Sequence, residues 1–216
     1  MNPRHSRTTV ATSSVRNLMQ ASLAVGGLTP LTTIDYPGEL AAVVFCAGCP
    51  WRCSYCHNRH LIERRPDTLL AWPEVLTFLE RRRALLDAVV FSGGEPTLQR
   101  GLDEALRSVR RLGFKVGLHT AGCYPRRLRV VLPLVDWIGL DIKDLPEHYP
   151  ALTGVRGSGE RAWESLALVR ESGVPFQVRT TVPVSGPLRE RVAELQSRLA
   201  TLGVEEHRLQ PMRPAA

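Results

Sequence analysis

Six short apolar runs separated by five helix-periodic segments constrain this chain most. Leu40–Cys46, Asp87–Phe91, Phe114–His119, Trp137–Ile142, Pro175–Val182 and Glu206–Gln210 are expected as strands. Near-continuous apolar character, as in Ala41-Ala42-Val43-Val44-Phe45, marks a strand buried on both faces, as in parallel sheets. Helices are expected over Pro73–Arg83, Leu102–Leu112, Pro125–Leu134, Ala162–Ser172 and Pro187–Leu202. Proline opens three of them, and Gly113 and Gly173 follow two. Strand and helix in alternation imply a parallel α/β architecture, and a partial barrel of six βα units is the expected fold. At 216 residues with no break in composition, one domain over residues 21–216 is expected.

The unusual residues all fall at the C-terminal ends of these strands, where α/β folds build their sites. Cys49-Pro50-Trp51-Arg52-Cys53-Ser54-Tyr55-Cys56 follows the first strand. Three thiols in eight residues cannot pair off as disulfides and are one ligand short of a closed zinc site, but they suit a 4Fe-4S cluster with one iron open. Read together with Cys46, the segment becomes C-x2-C-x3-C-x2-C, a closed zinc or electron-transfer site. Zinc ribbons separate their cysteine pairs by about a dozen residues or more. Cys46 also ends an apolar run, and is read as a core residue.

Ser92-Gly93-Gly94-Glu95-Pro96 follows the second strand and reads either as a tight turn or as a backbone stretch open to close approach by a ligand. His119-Thr120-Ala121-Gly122 follows the third. Asp141 and Lys143, two apart, are expected on one face of the fourth. They form either an exposed ion pair or a shared polar site. Arg179, on an apolar strand, needs an anionic partner, either a ligand or a core carboxylate. Cys123 is read as inert packing.

The cysteine loop resembles that of the radical S-adenosylmethionine (SAM) superfamily. With Gly27-Leu28-Thr29 and Thr33-Ile34-Asp35-Tyr36-Pro37-Gly38 before it and Cys56-His57-Asn58 closing it, the chain from Val25 to Pro214 resembles the activating proteins of anaerobic ribonucleoside-triphosphate reductase. That resemblance implies a partial (β/α)6 barrel, a 4Fe-4S cluster on Cys49, Cys53 and Cys56, and SAM as the second cofactor. It implies SAM contacts from Tyr55, Gly93, Gly94, Glu95, Thr120, Asp141, Lys143 and Arg179. The activity it implies is reductive cleavage of SAM to place a glycyl radical on a partner enzyme, with a reduced flavodoxin- or ferredoxin-type electron donor. Small-molecule chemistry of the 7-carboxy-7-deazaguanine synthase kind is the alternative. In pyruvate formate-lyase activating enzyme the turn after the third strand is Thr-Asn-Gly preceded by aspartate. Here it is Thr-Ala-Gly preceded by His119, which puts in doubt the monovalent-cation site that the aspartate helps form.

A net charge of +7 and a pI near 9.6 raise the question of nucleic acid. The arginines are spread over every expected helix and aromatics make up 6% of the chain, so no stacking platform is expected. A basic surface suited to an acidic partner or electron donor is expected instead. Lys115 and Lys143 are the only lysines, which singles out Lys143. Five cysteines, four of them clustered, point to a reducing compartment, and a cytoplasmic location is expected. No apolar run approaches the ~18 residues of a membrane span. Residues 1–20, rich in Ser, Thr and Arg and free of acidic residues, are expected to be a tail outside the fold.

Overall fold

The computed structural model describes residues 23–212, so the expectation for residues 1–20 lies outside the described residues. Seven strands form one sheet in sequence order: β1 Val25–Thr32, β2 Ala41–Cys46, β3 Ala88–Gly93, β4 Lys115–Thr120, β5 Trp137–Asp141, β6 Phe176–Val182 and β7 His207–Pro211. β2 to β7 pair in parallel, and β1 lies antiparallel on the outer edge of β2. The connecting helices are α1 Trp72–Glu80, α2 Leu102–Arg111, α3 Pro125–Val131, α4 Tyr149–Thr153, α5 Ser158–Glu171 and α6 Pro187–Thr201. The sheet does not close, and β2–β7 with their helices make the expected partial (β/α)6 barrel. Among the described residues no helix is long and apolar enough to cross a membrane.

Two elements correct the expected count. β1 was not expected because Val-Gly-Gly-Leu-Thr-Pro-Leu-Thr carries two glycines and a proline, which weaken a strand interior. The proline is tolerated because β1 is an edge. The short α4 was also unexpected, and α5 begins at Ser158 rather than Ala162.

Strand alternation sorts the side chains into two cores. Val44, Phe91, Leu118, Ile138 and Leu140 face the helices, in one cluster with Leu79, Leu106 and Leu166. Ala41, Val43, Ala88, Val90 and Trp137 face the bore, together with Tyr36 from the segment joining β1 to β2. Tyr36 lies against Trp137 with ring centroids 5.4 Å apart, and His119 meets the same indole edge-on at 5.7 Å. These rings plug the lower bore, near the strands' N-terminal ends.

Two glycines make the space. A Cβ on Gly117 would stand 2.9 Å from Val90 Cγ2 and 3.0 Å from Tyr36 Cδ1. One on Gly139 would stand 2.8 Å from the Arg179 guanidinium carbon and 2.9 Å from His119 Cδ2. The first lets the plug in, and the second lets a guanidinium and an imidazole share the next layer up.

Candidate active site

The cysteine loop leaves the top of β2 and is held from three sides by backbone hydrogen bonds. Gly48 N–H donates to the Leu61 carbonyl at 2.7 Å, Cys49 N–H to Ile62 at 3.0 Å, and Arg52 N–H to Thr153 of α4 at 2.9 Å. Gln99 Nε2 and Arg64 Nε donate to the Ala47 carbonyl at 2.7 and 3.2 Å, fixing the loop's root. Trp51 is buried beneath the loop, edge-on to Tyr149 with centroids 5.7 Å apart. The sequence carries no signal for the Gln99–Arg64 latch, because a contact to a backbone carbonyl leaves no motif.

Gly93 and Gly94 support this loop from the neighbouring strand. Gly94 N–H donates to the Cys46 carbonyl at 2.8 Å and Glu95 N–H to the Gly48 carbonyl at 2.9 Å. Gly93 has φ +108, and a Cβ on Gly94 would run into the Gly48 carbonyl oxygen. Of the two readings of this stretch, these contacts favour the tight turn: the Gly94 and Glu95 amides hold the loop. The Gly93 carbonyl faces Asn58 Nδ2 at 3.5 Å.

Glu95 is also corrected. It does not converge on the rim with Asp141 and Lys143; it is fully buried behind it. Its Oε1 accepts from Thr97 N at 2.9 Å, Thr97 Oγ1 at 2.6 Å and Thr120 Oγ1 at 2.7 Å, and its Oε2 accepts from Ala121 N at 3.0 Å. Thr120, whose hydroxyl is thus spent, also accepts from Gly122 N at 3.0 Å.

Asp141 and Lys143 do meet, although β5 ends at Asp141 and Lys143 lies beyond it. Lys143 Nζ stands 3.8 Å from Asp141 Oδ2, and the Lys143 side chain is 14% exposed. The Asp141 carboxyl is held below its usual range: burial works against this, and Arg179, Lys143 and His119 outweigh it. Arg179 Nε and Nη2 donate to Asp141 Oδ1 at 3.1 and 3.0 Å, so the anionic partner inferred for this arginine includes a core carboxylate.

The same guanidinium reaches His119. His119 Nε2 lies 2.7 Å from the Asp35 carbonyl, which can only accept, so that nitrogen carries the proton, and Arg179 Nη1 stands 3.2 Å from both ring nitrogens. Burial, then the Arg179 charge, push the imidazole down to about 4, so it is neutral at pH 7.

These groups line one cavity of about 170 Å³. All three cysteines of the loop open into it, with Tyr55, Gly93, Thr120, Asp141, Lys143 and Arg179; Glu95 does not. Burial pushes the Cys49 thiol up to about 12 and raises Cys53, so a cation must displace these protons on binding. Among the described residues no group of three acidic, Cys or His side chains is close enough for a single metal ion. Three separated thiols facing one cavity suit a multi-iron cluster, in which each binds its own iron. Cys46 and Cys123 are fully buried, as core residues are. Tyr55 Oη is buried without a partner among the described residues, and Tyr55 also walls a second cavity of about 530 Å³ lined by Leu152, Pro183, Leu188 and Met212. An orphan phenol, a Lys–Asp pair and three free thiols fit the cofactor pair of cluster and SAM.

Residues 43–196 match the family described as the Radical SAM superfamily. A Methanocaldococcus jannaschii protein described as a glycyl-radical enzyme activating enzyme is 32% identical over 165 residues, covering 73% of this chain and 67% of its own length. The pyruvate formate-lyase-activating enzyme of Clostridium pasteurianum is 32% identical over 187 residues, covering 82% and 77%. Among solved structures, QueE from Escherichia coli superposes with a TM-score of 0.59 at 19% identity, covering 96% of this chain and 89% of QueE. Streptococcus suis SuiB bound to S-adenosylmethionine superposes with a TM-score of 0.58 at 18% identity, and this chain spans only 39% of it.

Proposed function

Because this chain belongs to the radical SAM superfamily, alongside its glycyl-radical enzyme activating enzymes, we propose that it activates the anaerobic ribonucleoside-triphosphate reductase by placing a radical on a glycine of that enzyme. Cys49, Cys53 and Cys56 would hold the 4Fe-4S cluster; Asp141 and Lys143 would help hold the methionine carboxylate and ribose of SAM, with Tyr55 in the wall of the same cavity. Bound there, the cluster and SAM would supply the one-electron radical chemistry that removes a hydrogen atom from the partner's glycine. The protein's own part is positional. Arg179 keeps Asp141 ionised and fixed, the plug of Tyr36 and Trp137 closes the lower bore, and Trp51 seals the underside of the loop.

The observation that carries the choice of target is the segment Thr33–Gly38, which resembles the reductase activators and is built into the site. Tyr36 plugs the bore, and the Asp35 carbonyl fixes the tautomer of His119. A pyruvate formate-lyase target is the second reading, favoured by the similarity to the Clostridium pasteurianum enzyme. Electron paramagnetic resonance of the reduced protein with SAM and either partner separates the two. A glycyl doublet with the reductase, and none with the lyase, is expected. Rapid SAM cleavage with a small molecule and no doublet with either protein would move the function to the deazaguanine-synthase kind.

A further inference from the structure

The cysteine loop has a second face, which the SAM cavity does not use. While Cys49, Cys53 and Cys56 are half-buried toward the cavity, Arg52, Ser54, Arg59 and His60 are exposed and do not line it. Between Glu39 and Glu63 the chain has no acidic residue. Arg52 Nη1 donates to the Cys49 and Trp51 carbonyls at 2.9 and 3.3 Å, and Arg59 Nη2 to the Ser54 carbonyl at 2.7 Å. Each guanidinium is thus anchored to the loop backbone by one nitrogen, and its remaining N–H groups have no protein partner among the described residues. The loop lies on α4 through Arg52 N–H to Thr153 and Ser54 N–H to Leu152, which brings exposed Arg156 to the same side. None of Arg52, Arg59 and Arg156 has a carboxylate partner among the described residues.

We propose that this outer face of the cysteine loop docks an acidic protein carrying a low-potential one-electron centre, a reduced flavin or an iron–sulfur group, with Arg52, Arg59 and Arg156 as its contacts. The proposal rests on the reading of the three cysteines as cluster ligands. Cys49, Cys53 and Cys56 all lie in this loop, so a carrier seated on its outer face would stand close to the cluster they hold. A hydrogen donor must enter from the cavity side, so the two partners need two faces. Anchored arginines present fixed charge at little entropic cost, and a local positive field steers an acidic carrier to the loop. The step is a one-electron exchange: the carrier is oxidised by one electron as the cluster is reduced by one.

The test uses the reconstituted full chain, an acidic flavodoxin as carrier, and the variants Arg59→Glu, Arg156→Glu and, on the far side, Arg83→Glu. Arg156 does not touch the cysteine loop with its side chain, so its variant separates docking from loop integrity. Stopped-flow reduction by the hydroquinone carrier should slow about 10-fold or more in the double variant Arg59→Glu/Arg156→Glu, with a flatter salt dependence. It should stay within about twofold in Arg83→Glu. In Arg156→Glu alone, photoreduction by free deazaflavin, and SAM affinity by calorimetry, should be unchanged. Unchanged carrier rates and salt slope in the double variant overturn the proposal. So does loss of glycyl radical yield under photoreduction, which assigns the face to the enzyme partner. Iron content, measured first, reports on the cluster reading alone; carrier binding by calorimetry still tests the docking face if the cluster is absent.

Discussion

The turns after β3 and β5 carry the two carboxylates that read alike in the sequence and behave oppositely in the fold. Glu95 meets only neutral donors: two backbone amides and two threonine hydroxyls close around it. Asp141 meets two cations and remains 37% exposed toward the cavity. A buried anion satisfied by amides ties strands together, whereas one flanked by cations at a cavity wall stays available to a charged ligand. The first is part of the scaffold and the second is part of the site.

Removing Glu95 should break the contrast at its strongest point. Glu95→Ala leaves four donors without an acceptor, each costing about 1–3 kcal/mol, so a loss of at least about 4 kcal/mol in urea unfolding and a fall in cluster content are expected. If Glu95→Ala unfolds like wild type but loses SAM binding, the two carboxylates are the same kind after all. Next in size is the plug: Tyr36→Ala should cost about 3 kcal/mol by the same measurement, with the cysteines still able to take up iron. Lys143→Ala should instead leave unfolding within about 1 kcal/mol and weaken SAM binding about 10-fold or more in calorimetry. Equal SAM affinity would remove Lys143 from the site.

Acid sharpens the comparison further, through His119. Its folded pKa, about 4, lies below the ordinary 6.5, so between these values the unfolded chain binds the proton more readily. Stability therefore falls as pH drops from about 6.5 toward 4. His119→Asn should flatten that part of the curve, and an unchanged pH profile would show that the imidazole is not held neutral. The smallest effects are expected at Cys46→Ala and Cys123→Ala, which should retain wild-type iron and sulfide, whereas Cys49→Ser, Cys53→Ser and Cys56→Ser should not. Loss of iron in Cys46→Ala would favour the four-ligand site.

The βα rhythm was legible because each buried strand is a solid apolar run and each helix carries start and stop residues. The rim was legible because chemistry-bearing residues follow those runs. What escaped was whatever depends on pairing across distance. β1 has poor strand residues and exists because the β2 edge accepts it. The side to which Glu95 turns is decided by Thr97, Thr120 and Ala121, two of them on another strand–loop junction. Asp141 and Lys143 meet as two residues on one face would, although the strand ends between them. The tautomer of His119 is set by a carbonyl 84 positions away, which no local pattern announces.

The plug and the cysteine loop sit at opposite ends of β2, with Tyr36 shortly before its first residue and Cys46 its last. That makes β2 a ruler: its six residues, about 3.3 Å each, set how deep the well is beneath the loop. Side-chain changes along β2 alter the lining but not the depth. A one-residue insertion or deletion does both kinds of damage together, since it moves the floor relative to the mouth and turns every later side chain of the strand to the wrong face. This enzyme should therefore tolerate substitution along that strand far better than any change in its length.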